Sequence, residues 1–575
     1  MKKRHGAAIW PWAEMAGANL LGLLILNLPL SLRYGDKLSA RLVPSELLVL
    51  GTLVYPWFFF FKPRTAFLGG VLTVGLLSFA NCLRMANLDF PLLPSDIHFL
   101  FQAQLLVAYS PLSVVAFVSA LPLFTGWAIY QRGRDEPFTL SAKWRRQCLA
   151  LWLLALSWAS LLAFHPKFIA DRMDFLSLYQ GKQWRLGKDV TRDGLANTLA
   201  FGVGELGLQR PTGLSRLDSL KTLKQYRPLT PAAASPALSP PRQSLVVILL
   251  ESFVDPYVYG VKLSADPIPN FRALSKRHAA HQVLVPTFGG GTATTSFELL
   301  TGISVSELKA PTHPFLDLIY QPTHSLVWTF RRNGYATLGL HNFLGGSWRR
   351  SKVWPFLGFE RSLFLESMPG AKQSYRGFPE SDVPLFNRIR DEIKSAKGPF
   401  FLYGVTVALH APYFPRARPA GALRVLQSPD DLGIRRRHKA MFEEYLNRLQ
   451  QMDAELLPAI EYLESQKIPF VLFGDHHSPL ANVLMKNKWG EGDEVAKHST
   501  PLLIQSDLAA SMQLPRTVEM SCLAGALASA MKLRQEPIDQ AVFRDCEVAS
   551  AVNEVRQNIL YDVFHSGLGF EGGTP

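Results

Sequence analysis

Apolar positions are spread unevenly along the chain. Five stretches in the first 165 residues run almost without charge: Ala16 to Leu32, Leu47 to Phe61, Thr65 to Leu83, about Leu106 to Tyr130, and Cys148 to Phe164. A helix needs roughly 20 such residues to cross a bilayer, with about 17 to 25 the usual range, so the pattern predicts about five transmembrane helices. The second is the weakest, being short and interrupted by Pro56. Any one of these runs alone reads equally as a buried core helix, but five crowded at one end of a chain read as a membrane domain. Beyond residue 165 the long runs stop. From HPKFIADRMDFLSLYQGKQWRLGKDV onward to residue 226, charged and apolar positions alternate and suit short juxtamembrane helices. RPLTPAAASPALSPPR, residues 227 to 242, is a proline-rich linker that cannot build a core.

From Ser244 onward short β-rich runs alternate with helical ones, which predicts an α/β domain with a mainly parallel central sheet. Four of the β-rich runs end alike: SLVVILL at Glu251, YATLGL at His341, FFLYGVTVAL at His410, and IPFVLFG at Asp475 and His476. Open parallel sheets bind ligands outside the carboxyl ends of their strands, so acid, base and metal-ligating groups collect where such a fold would gather them. Between the last two runs, Met441, Phe442, Tyr445, Leu449, Met452, Leu456 and Ile460 recur at helical spacing and predict a helix covering the sheet. The expected organisation is a transmembrane domain over 1–165, juxtamembrane helices and linker over 166–243, and a soluble domain over 244–575.

Charge adds orientation. Only 18% of the 575 residues are charged, and the formal net charge is +14. MKKRH, KPR after the second stretch and QRGRDEPFTLSAKWRRQ after the fourth fall on one side of a five-span bundle. Short cytoplasmic loops retain Lys and Arg, so that side is inside, although RYGDKLSAR on the other side is also mildly basic. An odd number of spans then places everything after Phe164 outside. The first stretch lacks a small-x-small cleavage site and reads as a retained anchor. The positive charge needs no nucleic acid to explain it. Arg435, Arg436, Arg437, His438 and Lys439 form a run that reads as a solvated helix start or as a patch for lipid headgroups. Cys82 and Cys148 lie in or beside spans, which leaves Cys522 and Cys546 outside, where spacing permits a disulfide without requiring one.

PTFGGGTATTSFELLTG, residues 286 to 302, sets three glycines before a hydroxyl-rich helix. No Lys-Ser/Thr pair comes after the glycines, which excludes a phosphate loop of the NTPase kind, and no dinucleotide fingerprint fits. Thr295 and Glu298 stand at capping-box spacing, and Gly302 is placed to end the helix. Amides at a helix start attract anions and favour an ionised hydroxyl, which makes Thr292, nearest the glycines, either a cap or a nucleophile. Glu251 as a helix-start carboxylate, His341 and His410 as core imidazoles and Asp475 as a turn residue are the plainer alternatives.

LLESF, GGGTATTSFE, HNFLGGSWRR, FLGFER, ALH and GDHHS together resemble the lipoteichoic acid synthase and phosphoglycerol transferase family, membrane members of the alkaline phosphatase and sulfatase superfamily. The resemblance implies that Glu251, Thr292, Asp475 and His476 hold one divalent cation, with Thr292 also the nucleophile. It implies substrate contacts from His341, Arg350 nine positions later, Trp348 and His410; an imidazole, titrating near neutrality, suits His410 to act as acid and then as base. Mn2+ or Mg2+ suits three oxygens and one nitrogen, and Zn2+ fits the same set. The implied partners are the lipid bilayer, a phosphatidylglycerol donor and a glycan or glycerolipid acceptor; the implied place is the bacterial inner membrane with the catalytic domain periplasmic. Ser296 departs from the family, whose members usually carry an acidic residue there. Phosphoethanolamine transfer on the same fold, or a silent lipid or glycan sensor, are the competing readings. Oligomeric state is left open, and His477 and His498 read as supporting or structural.

Overall fold

The computed structural model describes residues 6–34, 36–88, 91–94, 96, 123, 126, 127, 130, 141–164, 186–204, 210–226, 243–308, 313–368, 378–417, 421–485, 489, 493–546 and 554–570. Two compact units divide it, the first over Met1–Gly207 with Lys309–Pro311, the second over Leu208–Leu308 and Thr312–Pro575.

In the first unit, four helices among the described residues are long and apolar enough to cross a membrane: Pro11–Arg33, Val43–Phe60, Pro63–Met85 and Ala142–Phe164. They match four of the five expected spans. Apart from four positions, the stretch from Leu106 to Tyr130 lies outside the described residues. Pro56 is carried inside the Val43–Phe60 helix. Glu46 in this unit is fully buried and accepts from Asn27 Nδ2 at 3.0 Å and from the amides of Ala196 and Asn197 at 2.9 and 2.7 Å. Those amides open the short helix Leu195–Gly204, whose unsatisfied N–H groups need such an acceptor.

The second unit is built on an eight-stranded sheet. Its strands are β1 (Leu245–Leu250), β2 (Ala279–Leu284), β3 (Ala336–His341), β4 (Arg361–Phe364), β5 (Phe400–Val405), β6 (Phe470–Gly474), β7 (Ser499–Ile504) and β8 (Thr517–Glu519), in the order β4-β3-β5-β1-β6-β7-β2-β8. The first five in that order run parallel, and β7 is antiparallel to both its neighbours. Successive side chains of a strand point to opposite faces. Leu245, Val247 and Leu249 therefore join one core with Phe297 and Trp354, and Val246, Ile248 and Leu250 join another with Tyr445 and Leu449. Each such residue contributes about 1.5–3 kcal/mol by burial, which is why β1, covered on both faces, reads as an unbroken apolar run. The expected covering helix is Arg436–Ser465, and Phe442, Tyr445, Leu449, Met452, Leu456 and Ile460 are all buried along it.

Residues 210–226 belong to this second unit. Arg210 pairs with Asp562 and Asn558 of the helix Glu554–His565, and Ser219 donates to Asp562 at 2.6 Å. The linker at 227–242 lies outside the described residues. Cys522 and Cys546 form a disulfide.

Candidate active site

β3, β5, β1 and β6 are neighbours in the sheet, so their carboxyl ends bring His341, the loop to His410, Glu251, and the pair Asp475 and His476 to one edge. Opposite them the glycine run turns the chain. Gly289, Gly290 and Gly291 have φ of 74°, 159° and 98°, values that residues with a Cβ avoid, and a Cβ on Gly291 would sit 2.8 Å from Thr287. The run releases the chain into the helix Thr292–Thr301, with Thr292 as its first residue. Gly302, at φ 71°, caps the other end as expected.

The capping-box expectation is corrected. The helix begins three residues before Thr295, whose hydroxyl instead donates to the carbonyl of Asp475 at 2.9 Å and ties the helix to the β6 loop. Glu298 turns to the next loop, accepting from the Val305 amide at 2.7 Å and Ser304 Oγ at 3.1 Å. The GGG run satisfies the helix entry by conformation, so no side-chain cap forms there.

Thr292 Oγ1 donates to Glu251 Oε2 at 3.0 Å and lies 3.4 Å from His476 Nε2. His476 Nε2 is 3.2 Å from Asp475 Oδ2 and 3.6 Å from Glu251 Oε1. His476 Nδ1 faces the carbonyl of His477 at 3.0 Å. A carbonyl only accepts, so Nδ1 carries the hydrogen and Nε2 presents its lone pair to the cluster. Ligand atoms of Glu251, Asp475 and His476 all lie within 4.8 Å of one another.

These residues fit a divalent cation. Glu251 and Asp475 are both buried, and Asp475 Oδ2 accepts no hydrogen bond. Burial, then the charge of Glu251, pushes the Asp475 carboxyl above its ordinary range. Two buried carboxylates with an orphaned oxygen between them call for positive charge at that point.

Ser252 and Thr406 hold the ligands in place, and sequence reasoning passed over both. Ser252 Oγ donates to Glu251 Oε1 at 2.9 Å while its amide donates to Asp475 Oδ1 at 2.8 Å. It does so from φ 48°, a conformation that costs a serine about 1–2 kcal/mol. Tyr445 bonds its carbonyl at 2.9 Å and Thr406 Oγ1 accepts from the Glu251 amide at 2.8 Å. At Gly474 a Cβ would meet the carbonyl oxygen of Phe253 at 2.1 Å, so the two ligand loops approach at a distance only glycine allows.

His341 Nδ1 donates to the Val405 carbonyl at 2.9 Å, which leaves Nε2 as an acceptor. Burial, reinforced by the Arg350 charge, holds this imidazole well below its ordinary range. His410 stacks on Phe378 at 4.3 Å, and its Nδ1 donates to the Ala411 carbonyl at 2.5 Å. Its basicity is lowered chiefly by burial, with the Glu251 charge opposing. Arg350 is buried beside Ser347 and its charge reaches both histidines. Trp348 packs edge-on against His313 at 5.4 Å; it and Arg349 both adopt φ 54° immediately before Arg350. Ser296 bonds the Thr292 carbonyl and Tyr403 at 2.9 and 2.8 Å. His477, bonded to Tyr259 and the Ser499 carbonyl at 2.9 and 3.1 Å, has both nitrogens engaged in structure. His498 Nδ1 faces the Val285 carbonyl at 2.9 Å.

Asp382 is a further residue without a sequence signal. It is fully buried, accepts from Asn342 Nδ2 at 2.9 Å and from the amides of Val407 and Ala408 at 2.9 and 3.2 Å. It thereby joins the residue after His341 to the loop that carries His410.

The sulfatase family pattern matches residues 243–514. A protein of Rhizobium meliloti (strain 1021), named for modification of cyclic beta-1,2-glucan, is 28% identical over 454 residues, 75% of this chain and 67% of its own. Among solved structures, Streptococcus pyogenes phosphoglycerol transferase GacH in complex with sn-glycerol-1-phosphate superposes with a TM-score of 0.48 at 18% identity, over 62% of this chain and 95% of that one. The lipoteichoic acid synthase LtaP from Listeria monocytogenes gives 0.40 at 15% identity, over 58% and 78%. The zinc complex of the C-terminal periplasmic domain of EcEptC from Escherichia coli gives 0.39 at 14%, over 54% and 89%. Residues 243–514 of this chain, which hold most of the eight-stranded sheet, are thus similar to the sulfatase family.

Proposed function

We propose that the protein is a membrane-bound transferase that moves the phosphoglycerol headgroup of phosphatidylglycerol, by way of Thr292, to the hydroxyl of a cell-envelope glycan. The observation that carries this reading is the Thr292 hydroxyl, set at a helix N-terminus and 3.0 Å from Glu251 within the Glu251, Asp475 and His476 cluster. A free threonine hydroxyl is a poor nucleophile at neutral pH and needs such surroundings.

Glu251, Asp475, His476 and Thr292 would hold the divalent cation, Mn2+ or Mg2+ by their oxygen-rich donor set, with Zn2+ also suited to it. When bound, the cation supplies charge that lowers the hydroxyl pKa and neutralises phosphate oxygens. Arg350 binds the diester oxygens, and the amides at the start of the Thr292 helix face the same anion. Thr292 Oγ1 gives its proton to Glu251 Oε2, to which it is hydrogen-bonded, and attacks phosphorus. The bond from phosphorus to the diacylglycerol oxygen breaks, and His410, protonated on both nitrogens for this step, gives its Nε2 proton to the leaving alcohol. In the second step His410 Nε2 takes the proton of the acceptor hydroxyl, whose oxygen displaces Thr292 from phosphorus, and the Thr292 oxygen recovers its proton from Glu251. His341, with Nδ1 fixed by Val405, offers Nε2 to a glycerol hydroxyl.

The Rhizobium relative's name supports a glucan as acceptor. The disulfide between Cys522 and Cys546 supports an oxidising compartment for the domain, and the four apolar helices support a multi-pass bacterial inner-membrane protein. The test is the full-length protein in lipid nanodiscs with headgroup-labelled phosphatidylglycerol, cyclic glucan and Mn2+. Label should move to the glucan, diacylglycerol should appear in equal amount, and a chelator should stop both. Release of diacylglycerol with no phosphoglycerol adduct on Thr292 in the absence of acceptor would overturn the covalent route, and an ethanolamine-bearing adduct from mixed lipids would assign a different donor.

A further inference from the structure

We propose that one exposed face of the sulfatase-like domain docks onto an anionic lipid surface. It consists of the loop after β1, a second loop at 424–427 and the start of the Arg436–Ser465 helix. Three hydrogen-bonded joints make these pieces one surface. The Leu426 amide donates to the Lys262 carbonyl at 2.8 Å, Gln427 Nε2 donates to the Gly260 carbonyl at 3.2 Å, and Lys439 Nζ donates to the Gln427 carbonyl at 2.8 Å.

The surface presents what a membrane interface takes. Tyr257, whose ring lies 5.2 Å from the Arg272 guanidinium, Val258 and Leu426 are 42%, 51% and 64% exposed. Around them stand Lys262, Arg435, Arg436 and Arg437, all exposed. No ion pair involves any of these four among the described residues. The nearby acids are mostly engaged: Asp255 and Asp266 bind Arg272, Glu443 faces Arg424 and Lys439, and Asp431 accepts from the Ser428 amide at 2.9 Å, which leaves Asp430 exposed. Apolar tips ringed by unpaired cations match an acyl boundary under anionic headgroups, and they do not match a solvated helix start, which has no use for the apolar tips. Charge complementarity therefore selects an anionic bilayer as occupant, and the apolar helices of the same chain keep a bilayer at high effective concentration. The loop also carries Tyr259, bonded to His477 next to His476, so the docking surface and the metal ligands share one connected segment.

The test uses the full-length protein with Cys82→Ala and Cys148→Ala, carrying an environment-sensitive fluorophore at Val258→Cys or Leu426→Cys. Gln466→Cys, at the far end of the 30-residue helix, is the control position. The protein is reconstituted in vesicles of phosphatidylcholine alone or with cardiolipin, an anionic lipid that is not the proposed donor, and quenched by brominated acyl chains. Both loop positions should be quenched more strongly with cardiolipin, and the control should not. Arg435→Glu, Arg436→Glu and Arg437→Glu together should abolish the cardiolipin effect, since each lost cation weakens such attraction about fivefold. Loop positions no more quenched than Gln466→Cys would overturn the proposal, as would quenching indifferent to cardiolipin and to the three glutamates. Neither result depends on turnover, so the transfer reaction stands or falls separately.

Discussion

The amide of Ser252 donates to Oδ1 of Asp475 at 2.8 Å, across 223 positions of sequence. The Ser252 hydroxyl bonds Glu251 as well, so one strained residue sets the spacing of two carboxylates. Ser252→Ala removes the hydroxyl bond and keeps the amide. Divalent-cation affinity is expected to fall about 10- to 100-fold, as for other residues that orient metal ligands. Titration of metal-free protein with Mn2+ measures it; unchanged affinity would remove Ser252 from the support of the site.

Thr292→Ala is expected to lower turnover about 10³-fold or more while leaving thermal unfolding unchanged, because it deletes the attacking oxygen and one cation ligand at the mouth of a helix otherwise held by Thr295. Thr292→Ser, which keeps an oxygen, should retain turnover and a phosphoglycerol adduct visible by mass spectrometry. An adduct on the alanine variant would place the nucleophile elsewhere.

Asp382→Asn can keep Oδ1 as the acceptor shared by Asn342 Nδ2 and the Val407 and Ala408 amides, but it removes the charge and sets an NH2 in place of Oδ2 against the Ala408 amide. Since the hydrogen bonds of the Asp382 side chain among the described residues go to Asn342, Val407 and Ala408 and to no cation ligand, kcat should fall about 10-fold or more through His341 and His410 while Mn2+ affinity holds. Burial raises the Asp382 carboxyl to about 6 from 3.8. A raised carboxyl stabilises the fold most when protonated, so wild-type stability should decline between about pH 4 and 6, relative to the variant. Parallel unfolding curves for the two proteins across that window would contradict this.

How much of the site was legible in the sequence depends on the range of each interaction. Glu251, His341, Asp475 and His476 could be found because a parallel sheet delivers its strand ends to one edge, and each strand is a local pattern. Thr292 could be found because three glycines before a helix are local too. Ser252 and Asp382 act through single bonds to residues far off in sequence, which leave no periodicity behind. Glu298 shows the converse failure: Thr295-x-x-Glu298 satisfied a local rule that the upstream Gly289 to Gly291 turn made unnecessary. The pairing of Cys522 with Cys546 likewise depended on the fold and not on spacing.

Glu298 offers a stability test independent of catalysis. Burial is the chief cause that lifts its carboxyl from 4.5 to about 8. Its stabilisation is therefore full below pH 4.5 and lost as pH rises through about 8. Glu298→Gln keeps an oxygen for Val305 and cannot ionise, so it should raise the melting temperature at about pH 9 and not at about pH 4, each pKa unit being worth about 1.4 kcal/mol. A variant less stable than wild type at the alkaline end would show the carboxylate to be needed there.

The neighbouring order of β3, β5, β1 and β6 has a consequence for biosynthesis. Of the four, β1 and β6 lead into the cluster residues, Glu251 and the pair Asp475 and His476, so a growing polypeptide completes the cluster only once β6 has been made. Two strands, β7 and β8, are still to come at that point. A loaded site would then report that the chain had reached His476, ninety-nine residues before its end, and had paired β6 beside β1.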